Sequence, residues 1–295
     1  MATAHLRDRA VILVEGPDAE HFLQNILTTD IDVLAAGEAK PGALLAPQGK
    51  ILFDFLISRA GENAFRLDCR TDVADDFRRR LMLYKLRAKV EISKQDQSVV
   101  LARWHDDSAA SGGDATTSEI DSGWLADTRF PAAAKVLRGY GEAATADADD
   151  AAWQRLRIAH GIAESGGDYQ LGDAFPHDVL LDQSGGVGFR KGCYVGQEVV
   201  SRMQHRGTAR RRVMLAEGKT ALPATGSEVT VNGRSIGMLG STSGNRGIAI
   251  VRIDRVKDAL DAGHPILVGD VPVALAIPGW ATYTLPQDAA AADDA

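Results

Sequence analysis

The chain has 295 residues, of which 45% are hydrophobic and 25% charged, with a formal net charge of −7. This is the composition of a soluble globular protein of two or three domains; no apolar run is long enough to span a bilayer, and the negative balance argues against a nucleic-acid coat. Its two cysteines, Cys69 and Cys193, make no disulfide scaffold, and the absence of CxxC and HExxH patterns leaves no protein-only metal site to expect.

Met1 to Asp8 carries early charges and no apolar signal core, so a cytoplasmic protein is expected. Ala10 to Glu15 reads as a strand. Gly16-Pro17-Asp18 turns into a helix from Asp18, near the N-cap, to Leu27, with Phe22, Leu23, Ile26 and Leu27 at helical spacing. Ala43 to Ala46 and Ile51 to Ser58 are strand-like, joined by the turn Pro47-Gln48-Gly49-Lys50. Phe65 to Cys69 is a further strand, and Cys69 at its end reads as structural. Thr71-Asp72 caps a helix to about Tyr84, with Val73, Phe77, Leu81 and Tyr84 on one face. Val90 to Ser93 and Val99 to Ala102 are strand-like, and Asp106 to Asp121 is a polar loop. After an Ala/Asp-rich connector, Ala151 to His160 is an amphipathic helix, apolar at Trp153, Leu156 and Ile158 and polar at Arg155 and Arg157. Gly161 to Asp182 is loop-rich. From Val213 to Thr284 the pattern is short strands, including the hairpin signal Asn232-Gly233, which points to a small antiparallel barrel.

The chemistry concentrates at Lys191-Gly192-Cys193-Tyr194-Val195-Gly196-Gln197-Glu198. Here a cysteine follows the basic pair Arg190-Lys191 and precedes a predicted helix from Gln197. Nearby cations and a helix N-terminus both stabilise a thiolate, so Cys193 can serve as nucleophile, redox group or metal ligand. A small buried hydrophobe in a turn is the plainer alternative. Gly185-Gly186-Val187-Gly188 lacks nucleotide-loop spacing and reads as a flexible turn that brings Lys191 and Cys193 into place. Arg202, His205, Arg206, Arg210, Arg211 and Arg212 form either a solvated basic face or an anion site. Asp168, Asp173, Asp178 and Asp182 lie in the loop-rich stretch. Asp182, after an apolar run, can accept paired hydrogen bonds from an amidine-like ring edge such as a pterin presents. No spacing singles out His177 or His205 as a base for Cys193.

This eight-residue stretch resembles the K-G-C-Y-x-G-Q-E signature of the YgfZ-type folate-binding proteins, relatives of the glycine-cleavage T-protein. Phe22 to Asp30, Leu45 to Ile51, Arg157 to Ile162 and Val229 to Arg252 resemble further segments of that superfamily, in the right order. The resemblance implies an α+β fold in which two α+β subdomains (residues 1–212) and a C-terminal antiparallel β-barrel (213–285) surround a central channel; the Ala/Asp-rich end, 286–295, reads as a disordered tail. It also implies a bound tetrahydrofolate or derivative, with Asp182 gripping the pterin and Arg211 or Arg212 meeting the folate tail. Cys193 would be the functional thiol, Lys191 would stabilise its thiolate, and Tyr194 would stack on a ligand ring. The implied function is assembly or repair of iron–sulfur clusters in client enzymes, including tRNA-modifying ones. Its partners would be folate and iron–sulfur client or assembly proteins, without direct nucleic-acid or membrane contact. Aminomethyltransferases lack the cysteine signature, which argues against glycine cleavage. A folate-dependent one-carbon transferase or demethylase, and a protein-binding adaptor, are the alternatives.

Overall fold

The structure, a computed structural model, describes residues 1–96, 99–105, 123–141 and 145–286. The polar loop from Asp106, the start of the Ala/Asp-rich connector and the tail from Gln287 lie outside the described residues. The chain divides into two compact units. The first comprises Met1–Gln154, Leu171–Pro176 and Ser184–Ser201; the second comprises Arg155–Gln170, His177–Gln183 and Arg202–Ala295.

In the first unit the strands are β1 (Ala2–His5), β2 (Arg9–Glu15), β3 (Glu38–Leu45), β4 (Ile51–Gly61), β5 (Ala64–Arg70), β6 (Glu91–Lys94), β7 (Val99–Trp104), β8 (Trp124–Asp127) and β9 (Leu137–Gly141). They form one sheet in the order β1-β7-β9-β8-β3-β4-β5-β2-β6. All pairings are antiparallel except β3 with β8. Helix α1 (Ala19–Ile26) buries Phe22, Leu23 and Ile26; helix α2 (Ala74–Lys85) buries Ala74, Phe77 and Leu81. These side chains share one core with Ile12, Leu44, Ile57 and Leu67 from the sheet. Phe77 stacks on Phe53 and Phe55, with ring centroids 4.8 and 5.5 Å away. Asp18 precedes α1 but makes no side-chain cap; its carboxylate accepts the Lys89 amide at 2.7 Å instead.

β1, β8 and β9 carry no strand signal in the sequence. β9 contains the fully buried Arg138, whose Nη2 donates to Asp127 of β8 at 3.0 Å. Asp68 of β5 accepts from Arg9 Nε at 2.6 Å and from the Tyr140 hydroxyl at 3.1 Å. The sheet therefore holds charge in its interior, and each charge has an opposite partner, as low-dielectric burial demands.

Helices α3 (Asp150–His160) and α4 (Gln197–Arg206) carry the chain between units. In the second unit β10 (Arg211–Gly218), β11 (Glu228–Val231), β12 (Arg234–Ser243), β13 (Arg246–Arg252), β14 (Ile266–Val268) and β15 (Val271–Ala276) close a barrel in the order β10-β13-β12-β11-β14-β15. Asn232 and Gly233 join β11 to β12 with φ of 49° and 73°, the left-handed pair that a type I′ hairpin requires. The sequence reading of strands alone misses α5 (Ile253–Asp261), which buries Ile253, Val256 and Ala259 in the barrel core with Met214, Leu239 and Val268. Arg157 is not on the polar face of its helix. It is buried and donates to Asp168 Oδ2 at 2.6 Å and to the Ile162 carbonyl at 3.1 Å. Asp168 in turn accepts the Glu164 and Ser241 amides, so this pair ties the 162–168 loop to β12. No helix among the described residues is long and apolar enough to cross a membrane.

Candidate functional site

The residues singled out in the sequence fall into two groups. Lys191, Cys193 and Tyr194 belong to the first unit; Asp182, Arg211 and Arg212 belong to the second.

In the first unit the glycine-rich turn lies along the segment after α1. Gly188 N donates to the Thr28 carbonyl at 2.8 Å, and the Thr28 hydroxyl donates to the Gly186 carbonyl at 2.7 Å. A Cβ at Gly188 would lie 2.8 Å from Lys191 Cδ, so a side chain there would displace the lysine. Lys191 runs inward, and its ammonium donates to the carbonyls of Leu27 (2.8 Å) and Thr29 (2.7 Å). It also lies 5.2 Å from the Tyr194 ring centre. Burial lowers its pKa to about 8 against the opposing pull of Asp30 and Asp32. Tyr194 is itself buried, and burial pushes its hydroxyl up to about 12. Gln197 opens α4 and accepts the Tyr194 amide through Oε1 at 3.2 Å. Gly196, at φ 79°, sits where a Cβ would come within 2.5 Å of the Ala46 carbonyl; Gly49, also at φ 79°, would put one 2.9 Å from Val199 Cβ. The motif is thus seated on the β3–β4 hairpin by two glycines and on the end of α1 by one lysine. Between these anchors Cys193 is exposed. Cys69 is the opposite case: it is buried, and burial raises its thiol to about 12. The Lys191 ammonium is directed at backbone oxygens, so its visible work is to hold the loop that presents Cys193.

In the second unit a cavity of about 570 Å³ is lined by His177, Asp182, Gln204, Arg210, Arg212 and Tyr283, among others. Arg212, 7% exposed, donates through Nη1 to Asp182 Oδ1 at 2.7 Å and to the His177 carbonyl at 2.9 Å. Its guanidinium lies 5.1 Å from the Tyr283 ring centre, and its buried Nε has no hydrogen-bond partner among the described residues. Asp182 Oδ2 accepts from Gln183 at 2.9 Å. Tyr283, whose hydroxyl donates to the Val213 carbonyl at 2.6 Å, is the wall that sequence reasoning missed; an aromatic just beyond the last barrel strand was its only signal. His177 Nε2 lies 3.1 Å from Gln204 Oε1, and burial lowers its pKa. Asp182 and Arg212 are therefore brought together as a pair. Arg211 is turned elsewhere: its Nη1 is 3.9 Å from Asp178. The rest of the basic cluster, Arg202, His205, Arg206 and Arg210, is exposed. Among the described residues no three His, Cys, Asp or Glu side chains converge as metal ligands.

Comparison with known proteins agrees with this architecture. Residues 6–103 match the GCVT N-terminal domain, and residues 210–283 match the CAF17 C-terminal beta-barrel domain. The crystal structure of glycine cleavage system aminomethyltransferase T from Bartonella henselae superimposes with a TM-score of 0.71, covering 95% of this chain and 86% of that one at 19% identity. The fold is aminomethyltransferase-like: a mixed sheet with helices, followed by a closed antiparallel barrel. Relatives named "Iron-sulfur cluster assembly factor IBA57 homolog, mitochondrial" from Chaetomium globosum and Pyricularia oryzae are 30% and 31% identical, each over 88% of this chain and 74% of theirs. The Homo sapiens IBA57 protein is 28% identical over 95% of this chain and 85% of its own. The chain belongs to the IBA57 family of iron–sulfur cluster assembly factors. These relatives carry the IBA57 name rather than the YgfZ-type name that the cysteine signature resembles.

Proposed function

We propose that this protein assists the assembly or repair of iron–sulfur clusters in client enzymes, tRNA-modifying enzymes among them, with Cys193 as its working thiol. The observation that carries the reading is the contrast between the two cysteines: one sealed in the core, one exposed on a loop fixed at both ends. A thiolate is the ligand type that iron–sulfur clusters select, and a rigid, accessible one suits transient contact with a cluster or client. An exposed thiol that must stay reduced suits a reducing compartment, and we place the protein in the cytoplasm; its relatives' names say mitochondrial. In a strain lacking the protein, Cys69→Ser is expected to restore cluster-enzyme activity and Cys193→Ser is not. Full rescue by Cys193→Ser removes the thiol from the function.

The second part of the reading is a folate, tetrahydrofolate or a derivative, bound with the help of the second unit's cavity. Its size is within the usual range for a small-ligand site. The donor set fits an anionic, ring-bearing ligand: a buried guanidinium with one nitrogen still unsatisfied, the exposed Arg210, and the Tyr283 ring. Bound there, a folate would supply a one-carbon carrier. Arg212 would hold a carboxylate, and Asp182, already neutralising Arg212, would orient it rather than stand alone against a pterin. Titration with tetrahydrofolate tests this: binding by the wild type and a loss of tenfold or more in Arg212→Ala are expected, and no binding by the wild type removes the folate. The aminomethyltransferase-like fold favours one further reading, a folate-dependent one-carbon transferase or demethylase. Formation of methylene-tetrahydrofolate from methylamine-type substrates would support it over the assembly factor.

A further inference from the structure

Away from both groups, the end of α2 and the loop after it present side chains that the fold does not use. The inner face of α2 is consumed by Ala74, Phe77 and Leu81. On the outside Met82 is 45% exposed, Leu83 70% and Leu86 88%. Leu86 is held at φ 46° and ψ −107°, a conformation that strains a residue with a Cβ. A strained leucine in water is not a packing solution. The loop is also fixed: Lys89 N donates to Asp18 Oδ2 at 2.7 Å, Ala88 N to the Lys85 carbonyl at 2.8 Å, and Gly16 lies so close that a Cβ there would be 2.4 Å from the Lys89 carbonyl.

Among these apolar groups stand Arg80, Lys85, Arg87 and Lys89, none of which has a carboxylate partner among the described residues. Beside them opens a cavity of about 860 Å³, lined by Gly16, Asn63, Met82, Lys85 and Lys89 and by Glu91 and Ile92 at the start of β6. β6 is an edge strand, paired only with β2 among the described residues. The Gln95 amide donates to the Val11 carbonyl, so by antiparallel alternation the backbone groups of Ile92 and Lys94 face the open side.

We propose that this face binds an extended acidic peptide segment of a partner protein, added as a strand to β6, with its apolar side chains on Met82 and Leu86 and its carboxylates toward Lys85, Arg87 and Lys89. Strand addition supplies backbone bonds, and the flanking pockets and charges supply selectivity. Charge decides the occupant. A second copy paired across a two-fold axis would set these cations against themselves, whereas an acidic segment neutralises them. Glu15 and Glu91 on the strand side fix its orientation by repelling carboxylates from that wall.

The probe is a fluorescein-labelled dodecapeptide alternating Glu or Asp with Leu or Val, titrated with the full chain and followed by anisotropy. Saturable binding is expected, weakened at least tenfold in Arg87→Glu/Lys89→Glu and lost when alternate backbone nitrogens of the peptide are methylated. Leu86→Gly separates function from folding: it relieves the strained φ and is expected to raise the melting temperature while weakening peptide binding. No saturable binding, or equal binding by the charge-reversed variant, overturns the proposal. Capture of the protein by phosphatidylglycerol vesicles without peptide binding overturns it in favour of a lipid surface, and Leu86-dependent self-association without peptide binding overturns it in favour of a second copy.

Discussion

Replacing Lys191 by methionine tests the account of the motif loop quantitatively. Burial brings the folded-state pKa of Lys191 to about 8 from an ordinary 10.5. Below pH 8 both folded and unfolded chains carry the proton, and the fold bears the full cost of burying the charge. Between pH 8 and 10.5 the unfolded chain binds more protons than the folded one, so the unfolding free energy rises with pH. A shift of this size corresponds to about 3 kcal/mol in total, with about 2 kcal/mol falling between pH 7 and 9.5. Methionine cannot titrate, but it leaves the Leu27 and Thr29 carbonyls without their donor, at about 1–3 kcal/mol independent of pH. Urea denaturation of wild type and Lys191→Met across this range is therefore expected to show stabilities that diverge in favour of the wild type as pH rises. Taking the difference between the two cancels Cys69, whose raised pKa makes both proteins lose stability above pH 9. A difference that stays constant to within about 0.5 kcal/mol across the range, against the about 2 kcal/mol expected, would show that the ammonium is not buried as described.

Three further outcomes follow from the geometry. Gly196→Ala forces a Cβ into left-handed backbone, worth about 1–2 kcal/mol, and to 2.5 Å from the Ala46 carbonyl; urea denaturation is expected to show a loss of at least that strain. An aromatic disulfide reagent is expected to react with one thiol in the native chain and with two in denaturant, and fast reaction of both in the native state would contradict the burial of Cys69. Asp168→Ala removes the nearer of the two carboxylates facing the buried Arg157, leaving Glu164 at 3.6 Å from its Nε, and is expected to cost about 1–3 kcal/mol, measured by denaturation; a loss below about 0.5 kcal/mol, the scale of an exposed pair, would mean that water reaches the pair.

Much of the fold could be read locally. The Asn232-Gly233 hairpin, the Pro47 to Lys50 turn and the apolar stripes of α1 and α2 carry their instructions within a few residues, because turn chemistry and helical period are short-range. Two of the misses share one cause. β9 holds two glycines and a buried arginine, and it makes sense as a strand only once the Asp127 carboxylate is within hydrogen-bond reach of Arg138. Arg157 reads as surface until Asp168 is placed beside it. α5 starts where β13 stops, with no Gly or Pro between them to mark the change from strand to helix. The site follows the same rule. The exposed cysteine loop was visible as a motif, but the partners of Lys191 lie more than 160 positions earlier, and Asp182 meets Arg212 across 30 positions. Sequence pattern marks which residues carry chemistry; it does not say whether a cation faces a sulfur or a backbone oxygen.

The interlock of Gly49 and Gly196 reaches beyond this one molecule. Each occupies space that the other's neighbourhood needs, although they are 147 positions apart in the chain. A descendant that acquires a side chain at one position must reshape the hairpin or the cysteine loop to keep both. Over evolutionary time the two glycines are therefore expected to be kept or abandoned together, and drift in the Pro47 to Lys50 turn should track drift around the thiol.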